Sequence, residues 1–310
     1  MALRWRALTP DDIPALTTLV NTSIEADGTG RPIASSTLAE QFGAPRFDAA
    51  TDSIGAWHGD TLVASGSVWT SPEPVDGHAL ARIDGDVHPD HRGRGLGREL
   101  LTWLEHRAAA LLAERLPGLP GRLRTSGGTP GSATQRLLEQ AGYRPDNYFI
   151  TMEVDLGAWR DPGTPTTAVP IDADGQRTTR DAHNDAFRDH RSSSPIPEDA
   201  WDHWMSSTAS RPHIGRIVRD ETGRVLAYAL VAEHQRGVAH IELLGTRREA
   251  RGRGLARGVL LGTLRAAREA GFAVAELEVD STSPTGADKL YTAVGFQPVR
   301  TISRYQREMV

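Results

Sequence analysis

The sequence predicts an α/β (α+β) protein built as two tandem domains, each a mixed, mostly antiparallel sheet flanked by helices. Three observations carry that prediction. Arg92-Gly-Arg-Gly-Leu-Gly97 recurs as Arg251-Gly-Arg-Gly-Leu-Ala256, 159 positions later. Gly142-Tyr-Arg-Pro145 recurs as Gly295-Phe-Gln-Pro298, 153 positions later and in the same order. Between the halves, Asp161–Pro170 is rich in turn formers and poor in apolar periodicity, the composition of a linker. Two motifs repeated at nearly one offset indicate a duplicated domain, expected at residues 1–156 and 166–310 with 157–165 between them. A chain of 310 residues has the length of two domains at roughly 100–200 residues each.

The elements follow in the same order in each half. Ser53–Trp57 and Thr61–Val68 flank His58-Gly59-Asp60 and read as a hairpin. Leu80–Val87 is a strand leading into the first glycine motif. Behind that motif Leu96, Leu100, Leu101, Leu104, Ala108 and Leu111 recur at helical spacing. In the second half Gly215–Arg219 and Arg224–Ala232 flank a turn, and Ala239–Thr246 leads into the second motif. Leu255, Val259, Leu260, Leu264 and Ala267 mark the helix behind it. Val274–Val279 is a further strand, and a short helix ending in Gly-aromatic closes each half.

Composition excludes several classes. With no cysteine, disulfides, thiolate zinc sites, iron–sulfur clusters and cysteine nucleophiles are out, and a cytoplasmic setting is expected. The start runs from Met1-Ala-Leu-Arg-Trp-Arg6 into Thr9-Pro-Asp-Asp12 without an apolar signal core. No run approaches 18 apolar residues, so no membrane association is expected. A net charge of −5 speaks against nucleic acid as a partner. Lys289 is the only lysine among 35 basic residues, which reflects a GC-rich genome and lowers the weight of any arginine cluster.

Strand, glycine-rich turn and helix make an anion site: the first helical turn has unpaired N–H groups and a positive dipole end, and glycine admits a phosphate to the backbone. A tight turn with chance arginines is the plain alternative, weakened by two copies in matched contexts. A dinucleotide Gly-x-Gly-x-x-Gly site fails on spacing, because Arg98 and Arg257 stand where the third glycine belongs. A nucleotide P-loop fails because no Gly-Lys-Ser/Thr occurs.

The pattern Arg-x-x-Gly-x-Gly/Ala after a strand, then an amphipathic helix, resembles the acetyl-CoA-binding motif of the GNAT superfamily of acyl-CoA N-acyltransferases. Pro284-Thr-Gly-Ala-Asp-Lys-Leu-Tyr291-Thr-Ala-Val-Gly-Phe296 is similar to that family's closing helix and its Tyr-x-x-x-Gly-Phe ending. The tandem layout is similar to mycothiol synthase and related actinobacterial acyltransferases. The resemblance implies acetyl-CoA, or another acyl-CoA, with its pyrophosphate on the turns Arg92, Gly93, Arg94, Gly95, Leu96, Gly97 and Arg251, Gly252, Arg253, Gly254, Leu255, Ala256. It implies that Leu244, Gly245 and Thr246, on a splayed strand, meet the pantetheine arm and supply a backbone donor to the thioester oxygen. Ser283 stands where the family often has an asparagine touching the same arm.

The resemblance also gives Tyr291 the role of proton donor to the departing thiolate. Alignment back from Gly142 and Gly295 sets Leu138 opposite it, so the second half is expected to be catalytic and the first a degenerate copy that can still bind CoA. Since an ammonium cannot attack a thioester, a base is needed. Glu242 is the candidate, a surface glutamate being the other reading, with His183 or His240 able to do the same work. Alternation puts His240, Glu242 and Leu244 on one strand face; the first half has Asp84 and Asp86 in its corresponding strand. His183, Phe187, His190 and His240 are the expected acceptor contacts, while Trp201 and Trp204, three apart, read first as core packing. No His-Glu-x-x-His or similar spacing occurs, so no metal is expected. With no acyl-carrying nucleophile, the expected reaction is direct attack by a primary amine of a small polar metabolite, in a monomer or homodimer. A different acyl group or donor, or a non-catalytic acyl-CoA sensor, are the alternatives.

Overall fold

The computed structural model describes residues 3–188, 193–281 and 286–309. Two compact units divide the chain, Met1–Tyr148 with Ile302–Val310, and Phe149–Thr301. They differ from the expected 1–156 and 166–310 by the final strand of each half, and hydrogen bonding gives the reason.

The first unit contains β1 (Arg4–Arg6), α1 (Ile13–Asp27), α2 (Ser35–Phe42), α3 (Ala49–Asp52), β2 (Ser53–His58), β3 (Thr61–Thr70), β4 (Ala79–Val87), α4 (Leu96–Arg115), β5 (Gly121–Gly128), α5 (Ala133–Gln140) and the start of β6 (Arg144–Asp155). The expected hairpin is β2–β3, with Gly59 in the left-handed region at its turn. β4 runs antiparallel to β3 and parallel to β5. The far edge of β5 is covered by Ser303–Met309, antiparallel, from the other end of the chain. All six apolar positions expected along α4 are buried, in a core that includes Ile83, Leu123, Tyr143 and Tyr305.

The second unit repeats the plan with β7 (Val169–Pro170), α6 (Ala173–Ala186), α7 (Glu198–Met205), β8 (Arg216–Arg219), β9 (Val225–Gln235), β10 (Val238–Thr246), α8 (Leu255–Glu269), β11 (Val274–Asp280), α9 (Ala287–Ala293) and β12 (Gln297–Met309), whose first residues belong here. β10 is antiparallel to β9 and parallel to β11. The outer edge of β11 is filled by Phe149–Asp155 of β6. Each half's last strand therefore completes the sheet of the other unit. In both units every named pairing except that at the splay is antiparallel.

The expected linker is fastened to the second unit. Asp161 accepts two hydrogen bonds from Arg265 at 2.7 Å, Thr166 Oγ1 donates to Gly258 O at 3.0 Å, and Trp159 Nε1 donates to Val294 O at 2.9 Å. Residues 161–168 lack regular structure, Val169–Pro170 form β7, and composition could not reveal these partners, all on α8 or beyond.

The ring of Tyr305 is fully buried in the first unit and its hydroxyl donates to Glu139 at 2.8 Å. Tyr305→Ala is expected to destabilise that unit by about 3–5 kcal/mol, as for other large aromatic truncations. Chemical denaturation followed by near-UV circular dichroism checks this: an unmoved midpoint would show that the incoming strand is not part of the first unit's core.

Candidate active site

The site grows from the one parallel pairing in the second unit. β10 and β11 are in register from Val238 opposite Val274 to Ile241 opposite Leu277, and there the pairing ends. Beyond it the strands part, and a cavity of about 920 Å³ opens, lined by Glu242–Thr246, Leu277–Asp280, the start of α8 and one face of α9. That volume suits a sizeable ligand.

A β-bulge sits at the point of parting. Ile241 faces Val231 of β9 and Leu243 faces Leu230, so Glu242 is the extra residue. The expected alternation of His240, Glu242 and Leu244 on one face therefore fails. Ile241 and Leu244 pack on the α8 side, while Leu243 packs with Trp201 and Tyr228 on the α6–α7 side. An inserted residue reverses the parity of everything after it. Arg247 N–H donates to Leu226 O on β9 at 2.8 Å. Alternation back from it turns the N–H groups of Thr246 and Leu244 toward the open edge. Gly245 lies over Tyr228, whose ring atoms and hydroxyl oxygen would stand 2.5–2.6 Å from any Cβ there.

At the basic end, Gly252 and Gly254 hold φ of 76° and 75°, conformations that favour glycine, and a Cβ on either would meet nothing within 4 Å. Gly254 is the N-cap of α8, so the turn presents free N–H groups and the positive dipole end to the cavity. Arg251, Gly252, Gly254, Leu255 and Ala256 line the cavity with Arg257, which the sequence reading missed; Arg253 turns aside and donates to Glu249 O at 3.0 Å. Arg251 donates to Ala186 O at 2.7 Å. Thr246 Oγ1 is buried with no hydrogen-bond partner among the described residues. The open turn, the two free strand edges and this orphan hydroxyl fit a long ligand with an anionic end and an amide-bearing arm. Ser283 lies outside the described residues.

Tyr291, on α9, lines the cavity opposite. It is the same position as Leu138: Phe296 N–H donates to Tyr291 O as Tyr143 N–H donates to Leu138 O. Its hydroxyl makes no hydrogen bond among the described residues, and burial pushes the phenol up to about 12, so it keeps its proton at neutral pH.

At the end away from the glycine turn, Glu242 is held on both oxygens, by His234 Nε2 at 2.6 Å and Trp204 Nε1 at 2.7 Å. Neither partner was expected as a site residue. His240 lines the cavity and meets Glu276 at 3.0 Å. Phe187 lines it too, with Phe149. His183 does not: it is buried, stacked on Phe187 at 4.6 Å, and its Nδ1 accepts from the Tyr228 hydroxyl at 2.7 Å. Burial lowers its pKa to about 4, so it is a neutral core histidine and a poor base. Helical spacing put it on the correct helix but could not tell core face from pocket face. Trp201 is core, as expected, and His190 lies outside the described residues.

The first unit keeps the turn and loses the rest. Gly93 and Gly95 hold φ of 75° and 87°, and Gly95 caps α4. Arg92 is tied to Asp27 at 2.6 and 3.0 Å and to Val87 O, Leu96 is buried, and Gly97 stands 3.3 Å from Leu137 at its Cβ position; Arg94 lies exposed at the turn. The β3–β4 register runs without a shift, Ser67 facing Asp84 and Val68 facing Ile83, so Glu242 has no counterpart. Asp86, paired with Ser65, takes the place of Gly245, paired with Tyr228. Among the described residues no three His, Asp or Glu side chains gather as a metal site, and no helix is long and apolar enough to cross a membrane.

The sequence pattern of the acetyltransferase (GNAT) family matches residues 19–124 and 177–296. No curated protein matches the chain. Among solved structures, a GCN5-related N-acetyltransferase from Sphaerobacter thermophilus is 26% identical, with a TM-score of 0.77 over 99% of this chain and 95% of that one. A tandem GNAT protein from the clavulanic acid biosynthesis pathway shares 17% identity, with a TM-score of 0.69 over 99% and 98%. N-myristoyltransferase of Saccharomyces cerevisiae, with bound myristoyl-CoA, shares 11%, with a TM-score of 0.70 over 100% and 80%. The last two show likeness of fold.

The pairing difference at Asp86 has a measurable consequence. Desolvation, then the charge of Asp84, pushes its carboxyl up to about 7. The folded chain therefore binds a proton that the unfolded chain, with an ordinary carboxylate, has lost, and stability falls as pH rises from about 4 to about 7. Asp86→Asn is expected to flatten that part of the fall, read as thermal midpoint against pH. A variant with the wild-type slope would show that Asp86 is solvated.

Proposed function

Because the chain belongs to the acetyltransferase (GNAT) family and is an acyltransferase, we propose that its second unit transfers acetyl from acetyl-CoA to a primary amine of a small polar metabolite by direct attack. The observation that carries this reading is the cavity between β10 and β11, with a helix N-terminus and arginines at one end, carboxylates and an imidazole at the other, and Tyr291 between. An acyl-CoA bound there supplies an acyl group already activated as a thioester.

Each part of the site then has a task. The N–H groups from Gly252 to Ala256, with Arg251 and Arg257 beside them, hold the pyrophosphate. Thr246 and the free edges of β10 and β11 hold the amide-bearing arm. The N–H of Leu244 or its neighbour donates to the thioester oxygen as negative charge develops on it. Tyr291, protonated and with a hydroxyl that makes no hydrogen bond among the described residues, donates to the departing sulfur. At about 12 the phenol is less acidic than a thiol near 8.5, so a hydrogen bond to the thiolate, with protonation completed from solvent, is its easiest contribution. The acidic end draws in the ammonium and relieves it of a proton. In the first unit Asp86 sets a carboxyl where the second unit keeps Gly245, filling that place and repelling negative charge when ionised, so that unit is the degenerate copy.

CoA release from acetyl-CoA over a panel of primary amines tests the reaction class. Tyr291→Phe should lower kcat with little change in CoA affinity, as expected of a group acting in the transition state; undiminished turnover would remove Tyr291 from the mechanism. The glycine turns give a matched pair, since Gly254 and Gly95 both have open surroundings and a positive φ, so an aspartate meets similar backbone strain at each. Gly254→Asp should weaken CoA binding by about tenfold or more in titration calorimetry, equivalent to about 1.4 kcal/mol. Gly95→Asp should leave most turnover intact; equal inactivation by both would assign the chemistry to the wrong half.

A further inference from the structure

The acceptor end holds two imidazole–carboxylate pairs, and they are built differently. Glu242 has both oxygens occupied by short bonds from His234 and Trp204. Each oxygen retains a lone pair for a cation, but a proton settling there competes with a donor already in place. His240 has the opposite arrangement. Its Nδ1 lies 3.0 Å from Glu276 Oε1, and Glu276 is backed by Arg300 at 3.9 Å. A carboxylate only accepts, so Nδ1 carries the proton and Nε2 is left as the basic nitrogen. Nε2 makes no hydrogen bond among the described residues, and the ring lines the cavity.

Register locks the pair. His240 stands directly opposite Glu276 in the last stretch of parallel pairing before the strands part. The imidazole is thus carried on backbone paired to β11 where the opening begins, while Glu242 sits on the bulge just beyond it.

We propose that His240, oriented by Glu276, is the proton acceptor for the incoming amine, and that Glu242 holds the ammonium beside it as a fixed anion. This rests on the acyl-transfer reading of the cavity. The balance is simple. Nε2 takes one proton from the ammonium, and the freed lone pair forms the C–N bond. The C–S bond breaks with its electron pair on sulfur. Nitrogen loses two protons overall: one leaves through His240 to solvent, and the other is balanced by the proton gained at sulfur.

The charges around His240 suit that task. Glu276 and Glu278 face it from β11, Glu242 from its own strand, His234 from β9 with ring centres 5.9 Å apart, and Arg300 from β12 behind Glu276. Burial lowers the imidazole, but the hydrogen bond and charge of Glu276, then Glu242 and Glu278, outweigh it and hold the group above its ordinary value. A base works only in its neutral form, so activity falls as pH drops through that raised value. The neutral group is also a stronger proton acceptor than free histidine.

The experiment is the pH profile of acetyl-CoA-dependent CoA release with putrescine, glucosamine and tyramine as probes, for wild type, His240→Gln, Glu276→Gln and Glu242→Gln. Calorimetric CoA binding at wild-type strength identifies variants whose fold and donor site are intact. His240→Gln should lose about 100-fold or more in kcat near neutral pH, and less at alkaline pH, where more amine arrives uncharged. Glu276→Gln should keep more activity but move the acid limb to lower pH, a shift that a merely structural role would not produce. Glu242→Gln should act chiefly on the acceptor KM. Wild-type kcat in His240→Gln, or an acid limb unmoved in Glu276→Gln, overturns the assignment, and a limb abolished by Glu242→Gln alone transfers the role to Glu242. Absence of CoA release from wild type with every probe defeats the acyl-transfer reading and this proposal with it, whereas turnover shared equally by wild type and His240→Gln defeats this proposal alone.

Discussion

The end of parallel pairing at Ile241 and Leu277 governs the second unit. A paired sheet satisfies its own backbone; two strands that part do not, and their exposed N–H and C=O groups need partners. The cavity is the space those groups face. The bulge at Glu242 belongs to the same event: one residue beyond the last pair, the chain gains a residue, turns its side chains over, and delivers a carboxylate to the opening. A glycine three positions on lets Tyr228 pack directly beneath the strand, so the free edge rests on a filled core.

The two units show what duplication preserves and what it lets go. The turn capping the long helix survives in both, because the same glycines in the left-handed region also start a helix that carries much of each core. The asparagine that brackets a loop survives too: Asn21 pairs with Ile33 through side chain and backbone as Asn184 pairs with Ile196. These are folding requirements. What the first unit lacks is the bulge, the tyrosine on the closing helix and the bare Gly245 position, the features that shape the cavity of the second. Arg92, bonded to Asp27, has become part of the scaffold.

Much of this was legible in the sequence, because it is local. Strand ends matched to within a few residues, helical spacing marked the buried stripe of α4 and, apart from the half-buried Leu255, buried positions of α8, and the chain's repeat set Leu138 against Tyr291. The parts that stayed hidden depend on distant neighbours. Alternation could not anticipate the inserted residue at Glu242, since a bulge is defined by its partner strand. His234 and Trp204 reach Glu242 from β9 and α7, and nothing in their own surroundings signals that meeting. His183 lies on the helix where it was sought, but only the burial of Tyr228 decides which way that helix face turns. Composition likewise marked Asp161–Pro170 as turns without showing that Arg265 and Gly258 would hold it down.

The exchange of final strands bears on how the chain is made. A ribosome delivers Gly121–Gly128 long before Ser303–Met309, so the first unit must wait, with one sheet edge bare, until that later strand has emerged. The second unit meets no such delay, since Phe149–Asp155 precedes the rest of it. Its sheet can close first, and the first unit is completed only afterwards. An incomplete chain would expose that hydrogen-bonding edge to other chains, a hazard of any unfinished sheet. Order of synthesis thus sets the order in which the two units mature, and it favours the one that carries the cavity.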